Sequence, residues 1–282
     1  MPASTVDLHL HSTASDGSLA PTDVVALAER NGVRVMALTD HDSVAGLPAA
    51  LERARAADIR IVSGIELSVS EQNMDVHLLA YGFDPSDARL LEAIARYRES
   101  RHERARKILT RLKGLGIRIP IEEVEEIAAG GAIGRPHVAE ALMQNGLVET
   151  FHEAFQRYLG HHAPAYVGKQ TVSLEEAVEV VRDAGGVTVL AHPGTLNRDA
   201  WIPGLARRGL DGIEVWHSKH GPAEINRYRE VARTHGLLMT GGSDFHGERT
   251  PDVSIGSVAV PEQVIADLDE ALRARRALKA HP

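Results

Sequence analysis

Residues 5–17 read TVDLHLHSTASDG, an alternation of apolar and polar residues that carries His9 and His11 one residue apart and Asp16 shortly after. At period two, Val6, Leu8 and Leu10 fall on one face of a strand and Asp7, His9 and His11 on the other, so both imidazoles point the same way. Three such side chains at a strand end raise the question of a metal ion.

The rest of the chain supplies the context. Residues 21–31 (PTDVVALAERN) carry a helical apolar stripe that stops at Asn31-Gly32, and the apolar run 33–39 (VRVMALT) breaks off at DHD. A second helical pattern over 45–58 leads into 59–69 (IRIVSGIELSV), a strand that carries Glu66. Strand, helix, strand, helix, strand is the pattern of parallel βα units. Residues 74–83 (MDVHLLAYGF) add a strand with His77, Leu79 and Tyr81 on one side. From about 86 to 160 the pattern is helical, broken at GGAIGRP (130–136). Short apolar strands return at 186–194 (GVTVLAHPG), 212–218 (GIEVWHS) and 237–247 (LLMTGGSDFHG). The expected organisation is an α/β barrel built from residues 1–85 and 161–282, with a helical subdomain, 86–160, inserted over its active face.

Composition narrows the function. A length of 282 residues suits a single barrel-type enzyme, and 43% hydrophobic with 25% charged residues is ordinary for a globular protein. The net charge of −8 opposes nonspecific binding to polyanions, so an anionic ligand needs a local positive field or a metal. Without cysteine there is no disulfide, thiolate nucleophile or sulfur-rich metal site. The first fifteen residues hold neither a basic leader nor an apolar run, and no stretch reaches the ~18 apolar residues of a membrane span. A cytoplasmic protein with no membrane partner is expected. Aromatic content of 4%, without a repeated basic and aromatic platform, argues against long nucleic acid as a partner. Oligomeric state is left open.

The positions of the histidines decide the chemistry. His9, His11, His41, Glu66, His192, Asp244 and His246 lie at or just past the carboxyl ends of apolar runs, and His77 lies within one. In a closed α/β barrel such ends open on one face. With Asp16, that makes six histidines and three carboxylates, costly to bury together without cations to organise them. Imidazole and carboxylate are the ligands that hard-to-borderline divalent ions take.

The segments DLHLHSTASDGSLAPTDVVALA, VMALTDHDSVAGL, IVSGIELSV, VHLLAYG, VLAHPG and GGSDFHG together resemble the PHP (polymerase and histidinol phosphatase) superfamily, with all nine ligand positions of its pattern present. The resemblance implies a distorted (β/α)7 barrel with two or three divalent ions, manganese foremost and iron or zinc as alternatives. One ion would take His9, His11, Glu66 and Asp244, and Glu66 would bridge to a second held by His77 and His192. A third would take Asp16, His41 and His246. Asp16, His41, Glu66 and His246 are the expected catalytic set. Asp7 and Asp40, beside ligating histidines, suit the orienting of an imidazole through its other nitrogen.

Clustered ions of this kind can acidify a shared water and hold the attacking and leaving oxygens of a displacement at phosphorus. Anion-binding groups are then the test. Residues 96–113 hold eight Arg or Lys against two Glu, with Arg101 and Arg104 in a stretch free of apolar residues. In AIGRPHVAEAL (132–142), Pro136 suits a first helical turn, which sets Arg135 at a positive helix end able to hold phosphate. Lys169 is a further candidate, as are His217 and His220, for substrate contact or protonation of a leaving group. Histidines 102, 137, 152, 161, 162, 235 and 281 read as surface or packing residues.

Within the superfamily, the opening segment, GRPH and the helical insert look most like the branch of nucleoside 3′,5′-bisphosphate phosphatases and RNase AM. That branch implies removal of the 3′-phosphate of a small nucleotide by a metal-bridging hydroxide. A cyclic-phosphate diesterase or a 5′-to-3′ exonuclease on short RNA is the alternative within phosphoester chemistry. A non-catalytic metal-stabilised module and a C–N amidohydrolase are the alternatives outside it.

Overall fold

The computed structural model describes residues 4–72, 74–168 and 172–280. Seven strands form one sheet in chain order: β1 (Val6–Leu10), β2 (Val35–Leu38), β3 (Arg60–Glu71), β4 (Met74–Tyr81), β5 (Val187–Leu190), β6 (Gly212–His217) and β7 (Leu238–Gly242). The edges meet where the Asp244 amide donates to the His9 carbonyl and the His11 amide to the Phe245 carbonyl, so the sheet curls into a nearly closed barrel. Helices α1 (Pro21–Arg30) and α2 (Leu47–Ala56) cover the first strands. Then come α3 (Ala88–Gly114), α4 (Ile121–Ala128), α5 (Arg135–Gln144) and α6 (Phe151–Ala154), the last running into a π-helical turn over Phe155–Leu159. The remaining helices are α7 (Leu174–Asp183), α8 (Pro193–Leu196), α9 (Ile202–Arg207), α10 (Pro222–His235) and α11 (Gln263–Ala280). No helix among the described residues is long and apolar enough to cross a membrane.

The strands are not all parallel. β4 is antiparallel to both β3 and β5, forming a hairpin with β3 in which Ser68 faces His77. A histidine inside the strand run therefore belongs to the same barrel face as the carboxyl ends of the parallel strands, because β4 starts where they finish.

Strict alternation along β1 also fails. Asp7 pairs with Met36 and Leu10 with Leu38, so Leu8 and His9 together span the single residue Ala37. This bulge turns Leu8 and His9 both inward. Val6 and Leu8 accordingly pack in the interior cluster with Ala37, Leu79 and Val189, whereas Leu10 packs with α1 and α2 in the outer layer. Burial is complete on both sides of the strand, as it must be where helices flank a barrel.

The interior is apolar at its amino end, where Val264, Leu268 and Leu272 of α11 plug it, and polar at its carboxyl end. α3, about 40 Å long by its rise per residue, starts at Asp87, whose side chain caps the Leu90 amide at 3.0 Å. Leu90, Ala93, Ile94 and Tyr97 pack on the barrel. Ala105, Ile108 and Leu112, farther along, belong to a separate apolar cluster shared with α4, α5 and the turn at Leu159. The helix thus cantilevers a second small core over the polar end of the barrel.

Candidate metal centre and adjoining cavity

One carboxylate organises the polar end. Glu66, 1% exposed, has His9 Nε2, His11 Nε2 and His41 Nδ1 at 3.3, 3.2 and 3.1 Å from Oε2, and His77 Nδ1 and His192 Nε2 at 2.8 and 3.2 Å from Oε1. Asp244 Oδ1 lies 3.3 and 3.4 Å from His9 and His11 Nε2. Asp16 lies 3.4, 3.7 and 3.8 Å from nitrogens of His246, His11 and His41. The fold therefore brings all nine residues into one cluster.

The donor set fits divalent cations. Both ring nitrogens of His11 and Nδ1 of His41 are buried and make no hydrogen bond, although carboxylate oxygens stand close by. Buried polar atoms left this way are rare, and an ion between nitrogen and oxygen satisfies both. Among the described residues, four groups bring one donor atom from each member within 4.8 Å of one another: His11, Asp16, His41 and His246; His9, His11, Glu66 and Asp244; His41, Glu66 and His77; and His9, Glu214 and His217.

Electrostatics agree. Burial pushes the Glu66 carboxyl up, but the neighbouring His41, His77 and His9 outweigh it and hold it well below the usual range. Asp16, against the same burial, is held down by His41 and His246, and Asp244 by His9, His11 and His217. Burial lowers His11, yet Asp244 and Glu66 pull it up to about 10. Three largely buried carboxylates are thus held toward their ionised form by the imidazoles around them.

The chain is bent sharply to deliver these groups. His192, Asp244 and Asp42 adopt left-handed backbone at φ 32°, 58° and 47°, conformations that cost a non-glycine residue on the order of 1–3 kcal/mol. His220 helps to hold the first of these turns: its Nδ1 donates to the Val215 carbonyl at 2.9 Å and its Nε2 accepts from the Gly194 amide at 3.1 Å. With both nitrogens engaged, His220 has none left for a substrate. His217 is buried, accepts the Lys219 amide on Nδ1 at 3.1 Å and sets Nε2 3.3 Å from Asp244 Oδ2. Lys169 lies outside the described residues.

The orienting carboxylate is not one of the two expected from the sequence. Asp7 accepts the Ser243 and Gly256 amides, both at 2.9 Å, and so ties β1 to the chain beyond β7. Asp40 accepts the Ser12 amide at 2.8 Å and the Ser12 and Ser15 hydroxyls at 2.7 Å, shaping the loop that carries Asp16. Neither makes a hydrogen bond to an imidazole. Glu214 does: fully buried, it takes His9 Nδ1 at 2.9 Å and the His192 amide at 2.8 Å. Its one signal in the sequence is an acid inside the apolar run GIEVW. Between Glu214 and Trp216 the pairing with β7 slips by a residue, so Glu214 and His217, three apart, both face inward. Arg249 is a second residue the sequence does not reveal, bonding the Asp16 carbonyl at 2.5 Å and pairing with Glu140 of α5.

A cavity of about 130 Å³ opens from Asp16, His41 and His77 toward α3 and α5, where Arg101, Arg104 and Arg135 line it beside Ile108, Ile133, Val138 and Phe155. Arg101 is locked by Asp42 at 2.5 Å and Ser68 at 2.6 Å, and Arg104 by Asp75 and the Val167 carbonyl, both at 2.8 Å. Arg135 is held more loosely, 3.8 Å from Asp75 and stacked over Phe155 and Tyr166. Burial and the charge of Arg104 both push its guanidinium down, a stress that a bound anion relieves. At the start of α5 the Gly134 amide is taken by His137 Nδ1 at 2.9 Å and Pro136 has no amide, so the guanidinium, more than the helix end, presents the positive charge. His137, read from sequence as surface or packing, is 1% exposed and fixes this turn.

Comparison with known proteins agrees with this architecture. The chain is 36% identical over 256 residues to a 3′,5′-nucleoside bisphosphate phosphatase of Chromobacterium violaceum, covering 88% of this chain and 90% of the relative. It is 34% identical over 257 residues to the 5′-3′ exoribonuclease Rnm of Escherichia coli, covering 89% and 87%. A solved structure from Bifidobacterium adolescentis, described as a metal-dependent phosphoesterase, superposes with a TM-score of 0.88 at 31% identity over 96% of this chain and 97% of that one. The profile of the PHP domain matches residues 7–163, and the protein belongs to that family.

Proposed function

We propose that this protein is a metal-dependent phosphoesterase that removes the 3′-phosphate of nucleoside 3′,5′-bisphosphates. The observation that carries the reading is the continuity of the nine-residue cluster with a cavity lined by three arginines. His9, His11, Asp16, His41, Glu66, His77, His192, Asp244 and His246 would hold two or three divalent ions, and Mn²⁺, Fe²⁺ and Zn²⁺ all suit their nitrogen and oxygen donors. Such ions supply a water acidic enough to attack near neutral pH and neutralise charge on phosphoryl oxygens.

The chain's own residues account for selection and orientation. Asp42 pairs with Arg101 and Asp75 with Arg104, so Arg135, 3.8 Å from Asp75, is the guanidinium of the three least engaged by a carboxylate. Arg135, with Arg101 and Arg104, would anchor the phosphate that does not react, placing the ribose 3′ side over Asp16, His41 and His77. The apolar walls of Ile108, Ile133, Val138 and Phe155 lower the local dielectric around that anchor and would strengthen it. Pockets for drug-sized ligands measure roughly 300–1,000 Å³, so the cavity of about 130 Å³ would take the phosphate end of the substrate.

Turnover of a panel comprising a nucleoside 3′,5′-bisphosphate, 2′,3′-cyclic phosphates, histidinol phosphate, a simple amide and short RNA, each with Mn²⁺, tests the reading. Release of phosphate from the bisphosphate is the expected result. Hydrolysis confined to cyclic phosphates or amides would overturn it.

A further inference from the structure

Ring nitrogens sort the histidines around the metal centre into two kinds. His9 turns Nδ1 to Glu214 at 2.9 Å, His246 turns it to the Asp244 carbonyl at 2.9 Å, and His192 to Thr195 Oγ1 at 3.0 Å, a hydroxyl that itself donates to the His192 carbonyl. Each of these Nδ1 atoms faces an acceptor and so carries the ring proton, which leaves a lone pair on Nε2, the nitrogen directed at Glu66 or Asp16. His217 is built the other way round. It ends β6 in a tight turn, where the Lys219 amide donates to its Nδ1 at 3.1 Å and the His220 amide to its carbonyl at 2.9 Å. With Nδ1 accepting, the proton of the neutral ring sits on Nε2, which then has no lone pair for an ion. That nitrogen is buried, has no aligned hydrogen bond and stands 3.3 Å from Asp244 Oδ2.

We infer that His217 is a positioning residue and not a ligand: its Nε2 proton holds Asp244 Oδ2, so that Asp244 meets an ion through Oδ1 alone, an inference that rests on the proposed metal-dependent reading. The carboxylate is already divided in this sense. Oδ1 lies 3.3 and 3.4 Å from His9 and His11 Nε2, whereas Oδ2 faces His217 and, at 3.9 Å, the Lys219 ammonium. A buried N–H needs an acceptor. Glu214, the other carboxylate beside His217, has one oxygen engaged by His9 Nδ1 and the other by the His192 amide, which leaves Asp244 Oδ2 as the acceptor with capacity to spare. The same accounting removes His9, Glu214 and His217 as an ion site of their own, because neither His9 Nδ1 nor His217 Nε2 keeps a lone pair. It also removes His217 as a substrate contact or leaving-group acid, since its side chain is wholly buried. Asp244 lies past the end of β7 on left-handed backbone, outside any helix or strand, so its side chain depends on such a tie for its orientation.

His217→Gln and His217→Leu test the assignment in the full chain. Glutamine can return an N–H toward Asp244 Oδ2, and leucine fills the space without one. Chelator competition should show Mn²⁺ held ~10-fold or more weakly by His217→Leu and within about threefold of wild type by His217→Gln, the rescue that a donor role requires. Independently of any variant, long-range proton–nitrogen NMR correlations of the wild-type imidazoles should place the His217 proton on Nε2 in both the metal-free and the Zn²⁺-loaded protein, and the His9 proton on Nδ1 in the loaded one. Where His217→Leu does not fold, this measurement decides alone. A proton on Nδ1 of His217, or a metal-bound Nε2, overturns the assignment, as does equal weakening by both variants or unchanged affinity in both. Wild-type protein that binds no Mn²⁺ overturns the metal-dependent reading itself, whichever nitrogen of His217 carries the proton.

Discussion

Replacing Glu214 by glutamine isolates the part of the centre that only geometry reveals. The carboxylate accepts from His9 Nδ1 on one oxygen and from the His192 amide on the other, with no exposure to water. Glutamine keeps the shape but offers a single acceptor, so its amide nitrogen must face one of the two donors. An unsatisfied buried group costs ~1–3 kcal/mol. Loss of an outer partner of a metal-ligating histidine typically lowers affinity ~10–100-fold, or about 1.4–2.8 kcal/mol. The two ranges overlap, and Glu214→Gln should weaken Mn²⁺ binding by ~10-fold or more. Chelator competition on the folded protein measures that constant, and a Mn²⁺ titration of activity should show kcat largely restored at saturating metal. Affinity within twofold of wild type would refute the orienting role, as would a kcat that saturating metal fails to restore.

Other consequences are as direct. Because His11 titrates at about 10 in the metal-free protein and must be neutral to ligate, Mn²⁺ binding should release protons and tighten as pH rises. Calorimetry in buffers of different ionisation enthalpy detects this, and no net proton release counts against His11 as a ligand. Arg135→Ala removes a charge-assisted anchor worth ~1.5–3 kcal/mol, so KM for a nucleoside bisphosphate should rise ~10-fold or more with a smaller change in kcat. Burial pushes His137 down to about 4, below the 6.5 of an unfolded chain. Its folded form resists a proton that the unfolded form accepts, so its contribution is complete above about pH 6.5 and lost as pH falls toward 4, by up to about 3 kcal/mol. Thermal melts from pH 7.5 to 5 should therefore fall more steeply for wild type than for His137→Gln. Parallel curves would remove His137 from the account. Arg249→Met cuts the tie between Asp16 and α5, and should lower activity more than stability.

Much of the fold could be read along the chain. The apolar runs, their helical intervals and the interruption between about 86 and 160 are local patterns, and a polar residue closing an apolar run marks a strand end wherever the strand pairs. The direction of β4 was not legible, because MDVHLLAY has the same composition and period in either orientation and only its neighbours set its sense. Nor were the slips at Leu8–His9 and Val215, since alternation along one strand carries no trace of the residue count on its partner. Those two slips choose which side chains face inward. They bring Glu214 to His9 and send Trp216 out, and they explain why Asp7, near a candidate ligand in sequence, serves the backbone instead.

The sequence by itself determined the kinds of donors, their order and their placement at strand ends, because these follow from residue identity and local period. The tertiary structure alone decided which carboxylate sits among five imidazoles, which acid steadies His9, and that Arg101, Arg104 and Arg135 share one cavity with Asp16 and His41. Those relations join residues as far apart as 9 and 214, and barrel closure, strand register and the reach of α3 bring them within 3 Å of each other or around one space.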